Sequence, residues 1–508
     1  MGNETKTGMI AILTALLAAA GPGLANNLAL TNTLLRAPVA GKVEVQLDIS
    51  WDNSWKDGVN RDAAWVFVKY SIDSGATWSH ATLGGSGTNP AGFSGGTGTN
   101  LDVVVPADKK GAFIQRAVNG TGTVSNRDVK LVWDFATNGV SRSKSALVKV
   151  FAIEMVYVPE GSFYLGSGGG EGGHFYRHDG TAQTTTPYQV LSETNAISVG
   201  SSSGRLYYTN IGATVGDGAG VISNAFPKGY AAFYMMKTEI SQRQYCDFLN
   251  TLTATQQASR HDTGLHFNNA RNFIKKTDGS PAVFGCDANN NAGPDTAVTN
   301  VAKLNESADG EWVACTWFSW ADGTAYAAWA ALRPFTELEF EKACRGPLAP
   351  VPNEYAWGDA TLELPFTTSL VNAATSAEAP NQGNCNYDLC SPNGPFRCGS
   401  YADASSGRAS AGAGYYGILD LSGNLWDRSV TVGNQMGRRF TGLHGDGALT
   451  AEGNANVEGW PENNGSGIRG GDYSTLGVYA GISDRYRAVS LWPDRYNNMG
   501  GRAARSEP

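Results

Sequence analysis

The sequence predicts a loop-rich α+β chain that opens with an antiparallel β-sandwich and continues into short strands, long loops and a few helices. Three observations carry this expectation. Glycine fills 64 of 508 positions, well above the usual ~7%, and follows no fixed period, which indicates turns rather than a collagen or coiled-coil repeat. Apolar residues alternate through the first 150 positions, and helical spacing appears only later. Charge is sparse, with 38 Lys+Arg against 46 Asp+Glu for a net −8. That acidic balance, with no Lys/Arg run, argues against a nucleic-acid partner, which needs a basic face.

The elements follow in order. Met9 to Ala20 is an apolar run after Lys6, too short for the ~20 residues of a bilayer span. Small residues before a cut after Ala25 complete a signal-peptide pattern over 1–25, so bacterial-type export to the cell surface or beyond is expected, with no membrane span. Residues 26–152 read as the β-sandwich domain. Val43–Ile49 alternates apolar and polar, Ala64–Tyr70 follows after a turn, and Leu101–Val105, Val129–Trp133 and Ala146–Val150 continue the series. Trp51, Trp55 and Trp65 read as core, with a sugar platform as the alternative.

The texture changes at 153, and a second domain runs to 508 with a polar insertion at 168–228. His174 and His178 fall in a glycine-rich loop and read as loop residues. Ser241 caps a helix through Leu249; Trp320–Leu332 is a second; Thr336 with Glu339 forms the capping box of a third, which ends at Gly346 and Pro347. The seven cysteines contain no CxxC pair and no zinc-ligand spacing. After export some are expected to pair, with a local bridge among Cys385, Cys390 and Cys398.

Six ordered segments then carry a resemblance: MVYVPEGSFYLGS at 155–167, FYMMKTEISQRQYCDFLN at 233–250, the 317–346 stretch, YAWGD at 355–359, GILDLSGNLWD at 417–427 and the 468–505 end. Together they resemble the formylglycine-generating enzyme, or sulfatase-modifying factor, family. The resemblance implies a C-type-lectin-like fold for the second domain. In the resembling oxidases two cysteines shortly after the Arg-Gly-Gly segment bind copper. Here Arg469-Gly470-Gly471-Asp472-Tyr473 is followed by Thr475 and, near the second position, Ala480, and no cysteine follows Cys398. Neither a hydroxyl nor a methyl replaces the thiolate that Cu(I) wants, so no catalytic residue is assigned.

The resemblance also implies a structural calcium site at Asn424 and Asp427, with Asn384 as a further ligand; Asp stands where the family has Glu. The expected ligand face consists of Asp472, Tyr473, Tyr479, Trp492, Asp494, Arg495, Tyr496 and Asn497, a recognition-surface composition. Arg485 and Arg487 match arginines that brace the fold internally in the family. The function expected from the missing cysteines is a secreted or cell-surface non-catalytic binding protein for a protein or glycan ligand. The first alternative is a self-assembling subunit of an extracellular filament or surface layer. The second is a metal-dependent oxidase of the formylglycine-generating or ergothioneine-synthase type.

Overall fold

The computed structural model describes residues 27–181, 183–261, 266–295, 297–363, 369–489 and 492–508. The signal peptide expected at 1–25 lies outside the described residues. The architecture is α+β, dominated by strand and loop.

An eight-stranded sheet runs through the middle of the molecule. From one edge its order is Ala504–Ser506, Phe233–Met236, Leu147–Val158, Asp62–Ser71, Ala112–Arg116, Leu101–Val105 and Gly87–Thr88, with Ser79–His80 paired to Asp62–Ser71. Every one of these pairings is antiparallel. The strand Leu147–Val158 passes through the 152/153 junction, pairing with Asp62–Ser71 on one side and Phe233–Met236 on the other. The chain's last strand therefore shares a sheet with strands from its first quarter.

All ten residues of Asp62–Ser71 are buried, and strand geometry sends alternate side chains to opposite faces. Ala64, Val66 and Val68 pack in the sandwich core with Val45, Leu47 and Trp51. Those partners come from a three-stranded sheet of Ala29–Leu35, Val43–Lys56 and Gly120–Trp133. Trp65, Phe67 and Ala63 enter the other core, against Phe248 and Trp329 of the helical layer. Burying a ring such as Phe67 contributes about 1.5–3 kcal/mol. The Trp65 indole N–H donates to the Ala330 carbonyl at 2.8 Å, and the buried Lys69 ammonium donates to the Trp329 and Gly447 carbonyls at 2.7 Å. Trp51 and Trp65 are thus core, while Trp55 is half-buried.

The helices form where capping chemistry starts them. Gln242–Leu249 carries a Ser241/Gln244 capping box and Glu337–Arg345 a Thr336/Glu339 box. Trp320–Trp329 starts at Ser319, whose hydroxyl is answered by Asp322. A further helix, Ala254–Arg260, capped by Thr253, was not expected from the sequence. No helix among the described residues is long and apolar enough to cross a membrane.

Candidate functional site

A small sheet positions the loops at the chain's end. Trp426–Val430 pairs antiparallel with Ser466–Arg469 and parallel with Met499–Gly500. Gly470 and Gly471 then turn the chain at φ +92° and +73°, conformations that L side chains rarely adopt. A Cβ on Gly471 would lie 3.0 Å from the Ala480 nitrogen.

The turn is tied by Asp472. Its Oδ1 accepts from the Ser474 N–H at 2.7 Å and the Ser474 hydroxyl at 2.5 Å, and its Oδ2 from Asn498 Nδ2 at 3.2 Å. Burial raises the Asp472 carboxyl above its usual range, against the pull of the Ser474, Thr475 and Asn498 hydrogen bonds. Thr475 Oγ1 accepts from the Asp472 N–H at 3.1 Å, so this hydroxyl closes the turn. Tyr473 is buried; its N–H donates to the Asn424 carbonyl at 2.9 Å and its hydroxyl to that of Asn497 at 3.4 Å.

Helix Glu337–Arg345 braces this turn from below. Glu337, Glu341 and Arg345 stand four residues apart and so share one helix face. Arg469 donates to Glu337 Oε2 at 3.2 Å and Glu341 Oε1 at 3.0 Å. Burial pushes the Glu337 carboxyl up, but Arg485 and Arg469 outweigh it and hold the group below its ordinary value.

The residues named from sequence divide into two sets. Asp472 and Tyr473 lie beneath the surface. Arg495 is a brace: it forks onto Asp322 at 2.7 Å through both Nε and Nη2 and reaches the Ser259 carbonyl at 2.8 Å. Asn497 offers its carbonyl to Thr316 and Tyr473. Trp492, Asp494 and Tyr496 form the outer surface, the two rings 5.5 Å apart. The Arg487 guanidinium sits 4.1 Å over Trp492. Tyr479 stands apart, half-buried between Tyr486 and Trp426. Sequence reading missed Trp317, whose N–H donates to the Tyr496 carbonyl at 3.1 Å and whose ring stacks on His266 at 3.4 Å. It also missed Arg428, which holds the Trp492 and Asp494 carbonyls at 3.4 and 3.3 Å. Neither carries a local sequence signal, because both act across long chain separations.

Two expectations about bonding are corrected. All seven cysteines are free thiols. Cys385 donates to the Ser422 carbonyl at 3.0 Å, Cys390 to that of Tyr387 at 2.8 Å and Cys398 to that of Glu239 at 3.4 Å. Each sulfur is committed to a backbone oxygen rather than to another sulfur. The calcium expectation finds no support either: no group of three or more His, Cys, Asp or Glu is placed to hold a metal among the described residues. Asp427 is paired with Arg502 at 2.6 Å. Asn424 Oδ1 accepts from the Phe396 N–H at 2.8 Å and Asn386 Nδ2 at 3.2 Å, and Asn384 Oδ1 accepts from Glu363 N–H at 3.4 Å. A guanidinium stands beside the carboxylate that the resemblance offered to a cation.

Residues 225–505, more than half of the chain, match the sulfatase-modifying factor enzyme 1-like domain family, and the chain belongs to that family. No curated protein matches the chain. The match corrects the main functional expectation: it points to an oxidase-type modifying domain, not to a non-catalytic binding protein with a lectin-type ligand face. The family's two-thiolate copper centre does not fit the residues present. The Thr475 hydroxyl is used in the turn, Ala480 is a buried methyl, and the nearest cysteine before them in the chain is Cys398.

Proposed function

We propose that the chain is an exported oxidase-type domain of the sulfatase-modifying-factor class, acting at the Asp472–Thr475 turn. The observation that supports this reading is the family match over 225–505, whose span includes the Arg469–Glu337–Arg485 frame under the turn. Thr475 and Ala480 supply no thiolate for a two-cysteine copper centre.

The chain's own groups supply a proton path. Asp472 is a buried carboxylate whose proton affinity is raised, and it receives a hydrogen bond from the half-exposed Ser474 hydroxyl. A carboxyl of raised pKa serves as a general base nearer neutral pH. Trp492, Asp494 and Tyr496 form the surface across which a substrate reaches the turn; Arg495 and Asn497 hold that surface in place. The test is oxygen uptake by purified protein on a panel of thiol- and amine-bearing peptides, with and without added copper or iron. Uptake on at least one peptide, lost in Asp472→Asn, supports the reading. Uptake on none of them contradicts it.

A further inference from the structure

The junction between the two parts of the chain is open on one side. A cleft of about 1070 Å³ lies there, bordered by Ala29–Leu35 and Leu147–Val158 on one side and by Gln242–Leu249 and the 397–419 loop on the other. Ligand pockets commonly measure about 300–1,000 Å³, so this one is large enough for an extended molecule. No residue of the Asp472 turn or of the Trp492–Tyr496 surface lines it.

Its lining is close to electrically neutral, with five Lys/Arg against four Asp/Glu. That balance gives an ionic ligand no net attraction. Four half-buried rings, Trp55, Phe151, Trp312 and Tyr415, contribute to the wall. Lys237 covers a face of the Trp55 ring at 4.8 Å, Phe151 packs against Phe67 and Trp329, and the Arg408 guanidinium stands farther off, 5.6 Å over Tyr415, which leaves Trp312 as the first platform and Tyr415 as the second.

Polar groups remain unused at one end. Glu311 is 7% exposed, and its Oε2 has no hydrogen-bond partner among the described residues. The Arg243 backbone N–H donates to the Glu311 carbonyl at 2.9 Å, and both residues line the cleft. Arg243 engages Asp247 through Nε alone, at 3.2 Å.

A peptide strand added to the Ala29–Leu35 edge is the competing occupant, and the edge itself disfavours it. Its ladder is interrupted by a register shift between Thr31 and Leu34, and Asn32 stands at φ +51°. Such irregularities bend a strand and terminate pairing.

We propose that this cleft binds a neutral oligosaccharide, stacked on Trp312 and Tyr415 and hydrogen-bonded by Arg243 and Glu311. A sugar ring offers an apolar face, which an aromatic ring covers, and an edge of hydroxyls, which charged groups bind more strongly than neutral ones do. The site is separate from the Asp472 turn, so it stands or falls independently of the proposed oxidation.

The experiment titrates the full chain with cellohexaose, xylohexaose, mannohexaose and chitohexaose, followed by tryptophan fluorescence and calorimetry. At least one saturates the protein with a Kd below about 1 mM. Trp312→Ala and Arg243→Met each weaken that binding roughly tenfold or more, and Trp492→Ala leaves it unchanged. Should Trp312→Ala alter the melt, Arg243→Met decides, because its side chain is only half-buried and is held by a single part-exposed bond to Asp247. Saturation by none of the four, or affinity unchanged in Arg243→Met, overturns the proposal. Saturation by an alternating Val-Thr hexapeptide in place of all four sugars also overturns it, in favour of strand addition.

Discussion

Arg485 and Glu337 form a fully buried, two-pronged ion pair, with Nε to Oε2 at 2.7 Å and Nη2 to Oε1 at 3.0 Å. The remaining Arg485 nitrogen donates to the Gly173 carbonyl at 2.9 Å, and the guanidinium lies 3.9 Å over the Phe175 ring. One side chain thus joins the last loops, the Glu337–Arg345 helix and the polar insertion. Removing Arg485 leaves the buried Glu337 with Arg469 at 3.2 Å as its neighbouring cation, and breaking a buried pair of this kind costs about 3–5 kcal/mol. Arg485→Ala is expected to lower the thermal midpoint by many degrees, and Arg485→Lys to rescue it only in part, since an ammonium lacks the planar fork. A melt of Arg485→Ala within a degree of wild type would refute the bracing role.

Arg502 is expected to matter in the same way at the other polar core. It pairs with Asp427 and donates to the Leu419 and Asp420 carbonyls at 2.8 and 2.7 Å. Arg502→Met leaves Asp427 buried without its ion-pair partner and Asp420 with Arg397 as its neighbouring cation, a loss of about 3–5 kcal/mol in chemical denaturation. Equal stability of the variant would mean that another cation neutralises these carboxylates.

Stability should fall as pH rises from about 5 to 8. Burial raises Asp484 to about 7, with Glu171 adding to the rise and Arg469 opposing it. A folded-state pKa above the unfolded value means that the native state binds more protons across the interval. Protonation therefore favours folding at low pH, and the advantage is lost as pH climbs through the folded pKa. Burial shifts Asp62 and Asp427 to about 6 and Glu311 to about 7 in the same sense. His80 and His444, lowered by burial, oppose them. Asp484→Asn should flatten the slope by on the order of 2 kcal/mol between pH 5 and 8. An unchanged slope would remove Asp484 from the account.

Trp492→Ala should leave the melt within a degree or two of wild type while raising KM for any substrate that the Asp472 turn acts on. Trp492 is half-buried, and the ring it faces, Tyr496, is itself 36% exposed. A loss of several kcal/mol would instead make both rings core.

Much of the frame was legible in the sequence because it rests on local chemistry. Period-two alternation marked Val43–Ile49, and the Ser241 and Thr336 caps lie within three residues of the groups they satisfy. What escaped rests on contacts between distant residues. The strand Leu147–Val158 pairs on both sides, which no local pattern announces. The cysteines at 385, 390 and 398 share one loop, yet each thiol turns to a different carbonyl, so proximity in sequence misled. Asp427, which the resemblance offers to calcium, pairs with Arg502, 75 positions away, a partner that no local pattern announces. At the turn, the identity of Thr475 was informative, but the Asp472–Ser474 hydrogen bond depends on a backbone shape that two glycines set.

The most direct test of the proposed chemistry is the pH profile of oxygen uptake for wild type, Asp472→Asn and Ser474→Ala on the best peptide of the panel. If Asp472 takes the proton through Ser474, wild-type turnover rises with pH as the carboxyl ionises, above the usual carboxylate range. Asp472→Asn then loses that rise together with most of its rate, at an unchanged melt, and Ser474→Ala keeps the profile at a lower rate. Turnover in Asp472→Asn equal to wild type, with the same pH dependence, would contradict the account.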